Sequence, residues 1–190
     1  MKVKANNPVY LLPLDPSQPF LEGFFELSHL KQLYRQGWLR RGIPNQRCES
    51  VAEHSFSVAV LALWLGQAYY PHLDLDRVMR MALLHDIGEV YAGDIIPSDQ
   101  VSEAEKHQLE RASLEKVLGK LPTSQEYLEL WQEFERGESP EARFVRQVDR
   151  LEMGLQARIY QAQGYAGMDE FIHSARQGLV DPQLAEILDG

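Results

Sequence analysis

Two histidines and two aspartates carry the chemical interest of this chain: His54, the adjacent pair His85-Asp86, and the distant Asp149. Imidazole nitrogens and carboxylate oxygens together form a coherent ligand set for one divalent transition metal. Four such ligands leave coordination positions free for water and a substrate. Each candidate is weak alone, because a lone histidine beside an apolar helix face is more often a hydrogen-bonded structural residue. The combination is stronger. His85 and Asp86 close a mostly apolar stretch, where two ionisable groups are costly to bury without a partner, and a bound cation supplies one. Such a site suits metal-dependent hydrolysis, since the cation acidifies a bound water.

Other residues gather around this set. Glu89 lies four residues after His85 and three after Asp86, so a continued helical turn keeps it on their side. It is the candidate for orienting or deprotonating an attacking water. Asp94 comes next, in a glycine-containing loop. Between Lys31 and Arg47 the chain carries Lys31, Arg35, Arg40, Arg41 and Arg47 with no acid among them, a concentration of positive charge that could bind a small anion. Glu53 reads as a helix cap, not a ligand. Glu152, three residues after Asp149, could support a ligand from behind. His107 belongs to a polar stretch expected to be exposed, and His29, His72 and His173 have no motif context.

Helices must position these groups. An amphipathic segment over about 20–36 is expected first, then a loop marked by Gly37, Gly42 and Pro44. Ser50 and Glu53 form a capping box that places His54 at the start of the next helix. Residues 56–65 are apolar almost throughout, which predicts a helix buried on nearly every side. Asp74 caps a third helix running to Gly88, with His85 and Asp86 in its last turn. Ser102 with Glu105, and Thr123 with Glu126, predict two further capping boxes. Ser139-Pro140-Glu141 opens a long helix whose apolar stripe (Phe144, Val145, Val148, Leu151, Leu155, Ile159) has Asp149 on its flank. Two short helices near 168–176 and 182–188 finish the chain. No period-2 strand is visible, so the expected class is all-α.

At 190 residues, with 44% hydrophobic and 25% charged side chains, one domain over 1–190 is expected. The net charge of -9 argues against a nucleic-acid polymer as partner. No stretch approaches the roughly 20 apolar residues of a membrane span, and the start lacks the apolar block of a secretory signal. A lone cysteine, Cys48, suits a reducing compartment, so the expected location is cytoplasmic. Any metal must then be held by histidine and carboxylate.

Three runs, Glu53-His54-Ser55, Leu84-His85-Asp86-Ile87-Gly88-Glu89 and Gln147-Val148-Asp149-Arg150, resemble the HD-domain phosphohydrolase superfamily across about residues 30–165. Through the run from His85 to Ile95, the chain is most similar to the single-domain HD proteins grouped with 5'-deoxynucleotidases. That resemblance implies a helical bundle around one buried divalent metal (Mn, Co, Fe, Ni, Zn or Mg) and often a homodimer. It also implies hydrolysis of a nucleoside 5'-monophosphate, with the acid matching Asp94 serving the leaving group. Arg35, Arg40 or Arg41 could then clamp the phosphate, and Trp38 could stack on base or sugar. In bacterial members of the group the arginine and tryptophan are adjacent, whereas Gln36 and Gly37 separate them here. An HD-type phosphodiesterase or nucleoside polyphosphate hydrolase is the alternative. Two-metal versions of these generally place extra histidines between the His-Asp pair and the final aspartate, and only His107 occurs there, which favours a mononuclear site. A helical protein with a purely structural metal is the other alternative; acids beside the ligands speak for chemistry.

Overall fold

Ten α-helices, five of them opened by a side-chain cap, make up the fold in a computed structural model that describes residues 1–190. In chain order they are α1 (Pro19–Leu27), α2 (Gln36–Arg40), α3 (Val51–Tyr69), α4 (Leu75–Leu84) and α5 (Glu89–Ala92), then α6 (Glu103–Leu118), α7 (Ser124–Arg136), α8 (Pro140–Ala162), α9 (Asp169–Gly178) and α10 (Pro182–Asp189). No sheet forms; isolated bridges join Val3 to Leu33 and Tyr34 to Ser50. The all-α expectation holds. No helix is long and apolar enough to cross a membrane.

The caps explain where the central helices begin. Ser50 Oγ accepts the Glu53 amide while Glu53 Oε2 accepts the Ser50 amide at 2.6 Å, which starts α3 one turn before His54. Asp74 caps α4 and Ser102 caps α6. Ser139, with Pro140 next to it, caps α8. At α7 the expected box does not form: Thr123 makes no side-chain cap, and its carbonyl alone receives the Tyr127 amide.

Packing assembles α3, α4 and α8 in mutual contact, with α7 against α4 and α8, α6 against α5 and α7, and α9 and α10 on α8. Thirty buried hydrophobic residues form the main core, among them Leu33, Val51, Met81, Leu114, Trp131 and Leu151. A second cluster of seven, including Tyr34, Trp38, Tyr160 and Met168, lies under α2.

Three expectations are corrected. The first helix does not run over 20–36: α1 stops at Leu27, a 3-10 turn spans Ser28–Lys31, and Leu33 to Arg35 are drawn into pairing with chain distant in sequence. The Leu33 carbonyl accepts from Val51, the Arg35 amide donates to Glu49, and the Lys4 amide donates to Gln32, so tertiary hydrogen bonds override local helix preference. Helix α3 is not buried all round, because Phe56 and Trp64 are 68% and 64% exposed. Finally, α4 ends at Leu84, and His85 to Gly88 form a tighter turn in which the Ile87, Glu89 and Val90 amides donate three residues back.

Candidate active site

The tight turn after α4 turns His85 and Asp86 toward the first turn of α3 and the middle of α8. His54, fully buried, projects its Nε2 to within 3.0 Å of Asp149 Oδ1, and its Nδ1 lies 2.6 Å from Glu152 Oε2, one turn further along α8. His85 donates from Nδ1 to the Ala82 carbonyl at 2.8 Å, which leaves Nε2 as the inward-facing nitrogen. Asp86 Oδ2 stands 3.2 Å from that atom and 3.7 Å from His54 Nε2. Ligating atoms of His54, His85 and Asp149 all fall within 4.8 Å of one another, forming a candidate metal-binding cluster. The four sequence candidates therefore come together.

Whether these residues suit a cation is answered by their hydrogen bonding. His85 Nε2, Asp86 Oδ2 and Glu89 Oε2 are buried without a hydrogen-bond partner, although buried polar atoms ordinarily find one. Two imidazole nitrogens and two carboxylates at this spacing fit one divalent ion, and the Glu152 carboxylate behind His54 is the usual support of a ligating imidazole. Burial and Arg35 oppose a charge on His54, yet its hydrogen bonds to Asp149 and Glu152 prevail and raise its pKa. Burial also opposes ionisation of Asp149, but the His54 hydrogen bond outweighs it and holds that carboxyl below its ordinary range. Behind the cluster, Glu49 is pushed up to about 7 by burial and by the neighbouring Glu152.

Both candidate catalytic acids lie beside this cluster. Glu89 is buried, and its pKa is raised well above the usual carboxylate value by burial first and then by Asp86 and Asp94, against the pull of Arg35. Asp94, also buried, accepts from Arg35 Nη1 at 2.9 Å and from the Gln36 amide. The Arg35 guanidinium is 3.8 Å from both Asp86 and Glu89. Its aim comes from the extended backbone just before α2, where a continuous helix would have turned it elsewhere.

These groups line one end of a cavity of about 670 Å3 whose other walls include Trp38, Arg40, Arg41, Lys106, Met153 and Phe171. Trp38 is 2% exposed, donates from Nε1 to Glu49 at 2.7 Å, and packs against Tyr160 and Phe171. It is a core residue with an edge on the cavity more than a free platform. Arg41 stands half-exposed at the rim, paired with Glu170, and Arg40 pairs with Ser98 and Asp99. His107 stacks on Trp131 and takes no part in the cavity wall.

Sequence reasoning missed three contributors. The Gln36 side chain pairs with both backbone groups of Lys2, at 2.9 and 2.8 Å, which anchors the amide that holds Asp94. Glu49 and Lys106 had no motif, because both owe their place to helix packing. Only Glu152 left a trace, as an acid near the middle of an apolar stripe.

A family model described as HD domain matches residues 27–188. The chain belongs to the HD domain family. Within this HD domain family it is 41% identical to the Bos taurus 5'-deoxynucleotidase HDDC2 over 137 residues, 71% of this chain and 64% of that protein. The match therefore spans just under two thirds of the bovine relative. The Danio rerio protein of the same name is 35% identical over 166 residues, covering 85% of this chain and 80% of its own. Among solved structures, the Pyrococcus horikoshii OT3 protein PH0347 superposes with a TM-score of 0.75 at 33% identity, over 89% of this chain and 94% of that one. A protein named as a predicted metal-dependent phosphohydrolase, from Magnetospirillum magnetotacticum MS-1, gives 0.71 at 27% identity, over 91% and 89%.

Proposed function

We propose that this HD domain chain is a metal-dependent phosphomonoesterase that removes phosphate from deoxynucleoside 5'-monophosphates. The observation that carries the proposal is the meeting of His54, His85, Asp86 and Asp149 beside Arg35, Glu89 and Asp94, at one end of a cavity large enough for a nucleotide. The names of the HDDC2 relatives supply the substrate class. In this reading the four residues hold one divalent ion, with manganese, cobalt, iron, nickel, zinc and magnesium as the candidates. When bound, such an ion supplies a Lewis acid for a phosphoryl oxygen and acidifies water.

The chain's own groups do the rest. Arg35 binds the phosphate through its guanidinium, whose planar fork matches two phosphoryl oxygens. Glu89, buried in the cavity wall, takes a proton from the attacking water. Asp94 serves the departing 5'-oxygen, its Oδ1 freed once the phosphate takes over the guanidinium that now occupies it. Trp38 presents an edge, and Arg41 a rim charge, to the nucleoside. The chain acts as one domain in the cytoplasm, on small nucleotides and without a nucleic-acid polymer or a membrane.

A homodimer belongs to the same proposal. The outward face of α3 carries Phe56, Val60 and Trp64, and no charged residue occurs from Ser55 to Leu73. An uncharged apolar face can meet its own copy across a two-fold axis without like-charge repulsion.

The test is phosphate release from every ribo- and deoxyribonucleoside 5'-monophosphate, set beside cyclic and polyphosphate nucleotides, after stripping and metal replacement. Release from deoxynucleoside monophosphates is expected. Hydrolysis confined to cyclic or polyphosphate nucleotides would overturn the proposal in favour of a phosphodiesterase or polyphosphate hydrolase. No hydrolysis under any metal would leave a binding protein.

A further inference from the structure

Lys106 is the one lysine in the cavity wall, and the roles of Arg35, Glu89 and Asp94 leave it without a task. It rises from the second turn of α6, and its position is set by a close contact one turn later. Gly88, inside the tight turn that carries His85 and Asp86, packs directly on Glu110. A Cβ at Gly88 would lie 2.8 Å from Glu110 Cβ and 2.9 Å from the Glu110 carbonyl. That approach fixes α6 against the turn, and the residue four positions before Glu110 falls on the same helix face. Lys106 therefore reaches the cavity from α6 while Arg35 reaches it from the chain before α2.

The electrostatic surroundings separate Lys106 from the other cavity cations. Arg40 and Arg41 are paired at the rim with Asp99 and Glu170. The Lys106 ammonium has only Glu110 within salt-bridge reach, at 3.5 Å. Burial pushes the Glu110 carboxyl up to about 7 against the pull of Lys106, so near neutral pH this partner cancels the ammonium charge incompletely. Burial opposes the charge on Lys106 as well, yet Glu110, Glu89 and Asp86 outweigh it and keep the ammonium protonated. Asp86, Glu89, Asp94 and Asp149 all line the same cavity. A divalent ion would offset the two ligating aspartates, which leaves Arg35 and Lys106 to balance Glu89, Asp94 and the charge of an incoming phosphate.

We propose that Lys106 is a catalytic residue that contacts the transferring phosphoryl group from the α6 side of the cavity and stabilises the charge on its oxygens as the ester breaks. The inference rests on the phosphomonoesterase reading. In that hydrolysis a bond forms between water oxygen and phosphorus, and the bond from phosphorus to the 5'-oxygen breaks. The proton that leaves water passes to Glu89 and, by way of Asp94, ends on the leaving 5'-oxygen. Lys106 keeps its protons throughout and contributes charge and hydrogen bonds.

The test compares the full chain, metal-reconstituted, with its Lys106→Met and Lys106→Arg variants. Four quantities are read: bound metal per chain, calorimetric affinity for inorganic phosphate, and kcat and KM for deoxynucleoside 5'-monophosphates. Lys106→Met is expected to keep its metal, to bind inorganic phosphate at least tenfold more weakly, and to lose about 100-fold in kcat/KM, the scale of removing one preorganised charge from a reaction centre. Lys106→Arg is expected to recover most of the phosphate affinity. Unchanged phosphate affinity and kcat/KM in Lys106→Met would overturn the inference, and so would loss of metal together with activity, which would make the residue structural. If the parent chain released no phosphate from any monophosphate, the functional reading would fall first. The calorimetric comparison with inorganic phosphate would still decide for or against Lys106.

Discussion

At the scale of single residues, the site is an economy of buried charge in which each group depends on a particular neighbour. Asp86 has an unpartnered buried oxygen facing two imidazoles, so Asp86→Asn removes the negative charge that balances a cation there. Metal content measured after dialysis should fall below one ion per chain; full retention would remove Asp86 from the ligand set. Glu152 acts one step further out by holding His54 Nδ1. For Glu152→Gln we expect metal affinity to weaken by roughly 10–100-fold, with activity returning at high metal concentration. Glu89 differs from both because its charged neighbour is the Arg35 guanidinium, at 3.8 Å, and not an imidazole. Glu89→Gln should keep the metal and lower kcat by about 10²–10⁴, the usual worth of a positioned acid or base. Equal turnover in parent and variant would end its assignment as base.

At the scale of elements, precision comes from how helices start and how closely they approach. The Ser50 and Glu53 box fixes the first turn of α3, in which His54 sits. Ser50→Ala should cost about 1 kcal/mol in urea denaturation, the typical worth of an N-cap. Gly88 has a different duty, since its missing side chain is what lets α6 lie against the turn that carries His85 and Asp86. Gly88→Ala forces a methyl into the Glu110 backbone, and a loss of about 1–3 kcal/mol is expected from overpacking. A thermal midpoint unchanged from the parent would show that α6 can shift without penalty, and would break the link between this contact and the aim of Lys106.

At the scale of the whole molecule, the exposed face of α3 is the clearest departure from a self-sufficient monomer. A phenylalanine and a tryptophan, each about two thirds exposed and two helical turns apart on an uncharged helix, suit burial in a second copy. Light scattering should give twice the chain mass of 21.8 kDa for the parent. Trp64→Glu, which buries a charge in the contact, should give the single mass; a parent that runs as a monomer would remove the dimer from the proposal.

The sequence by itself determined the helical class, the caps of α3, α4 and α8, and the identities of the four ligand candidates. Those features rest on short-range rules: a serine or aspartate caps the helix immediately after it, and a His-Asp pair announces its chemistry wherever it stands. The tertiary structure alone decided that the segment before Arg35 is broken instead of helical, because its backbone groups bond to Val51 and Glu49 far along the chain. It also decided that α3 keeps an apolar face outside, that Lys106 lines the cavity, and that Gln36 and Glu49 bond to Asp94 and Trp38 in its wall. Such assignments depend on which helices lie side by side, and that is fixed by the packing of Leu33, Val51, Met81 and Leu151 in one core. Residues distant in sequence share no local pattern, so their meeting becomes visible only when the core has formed.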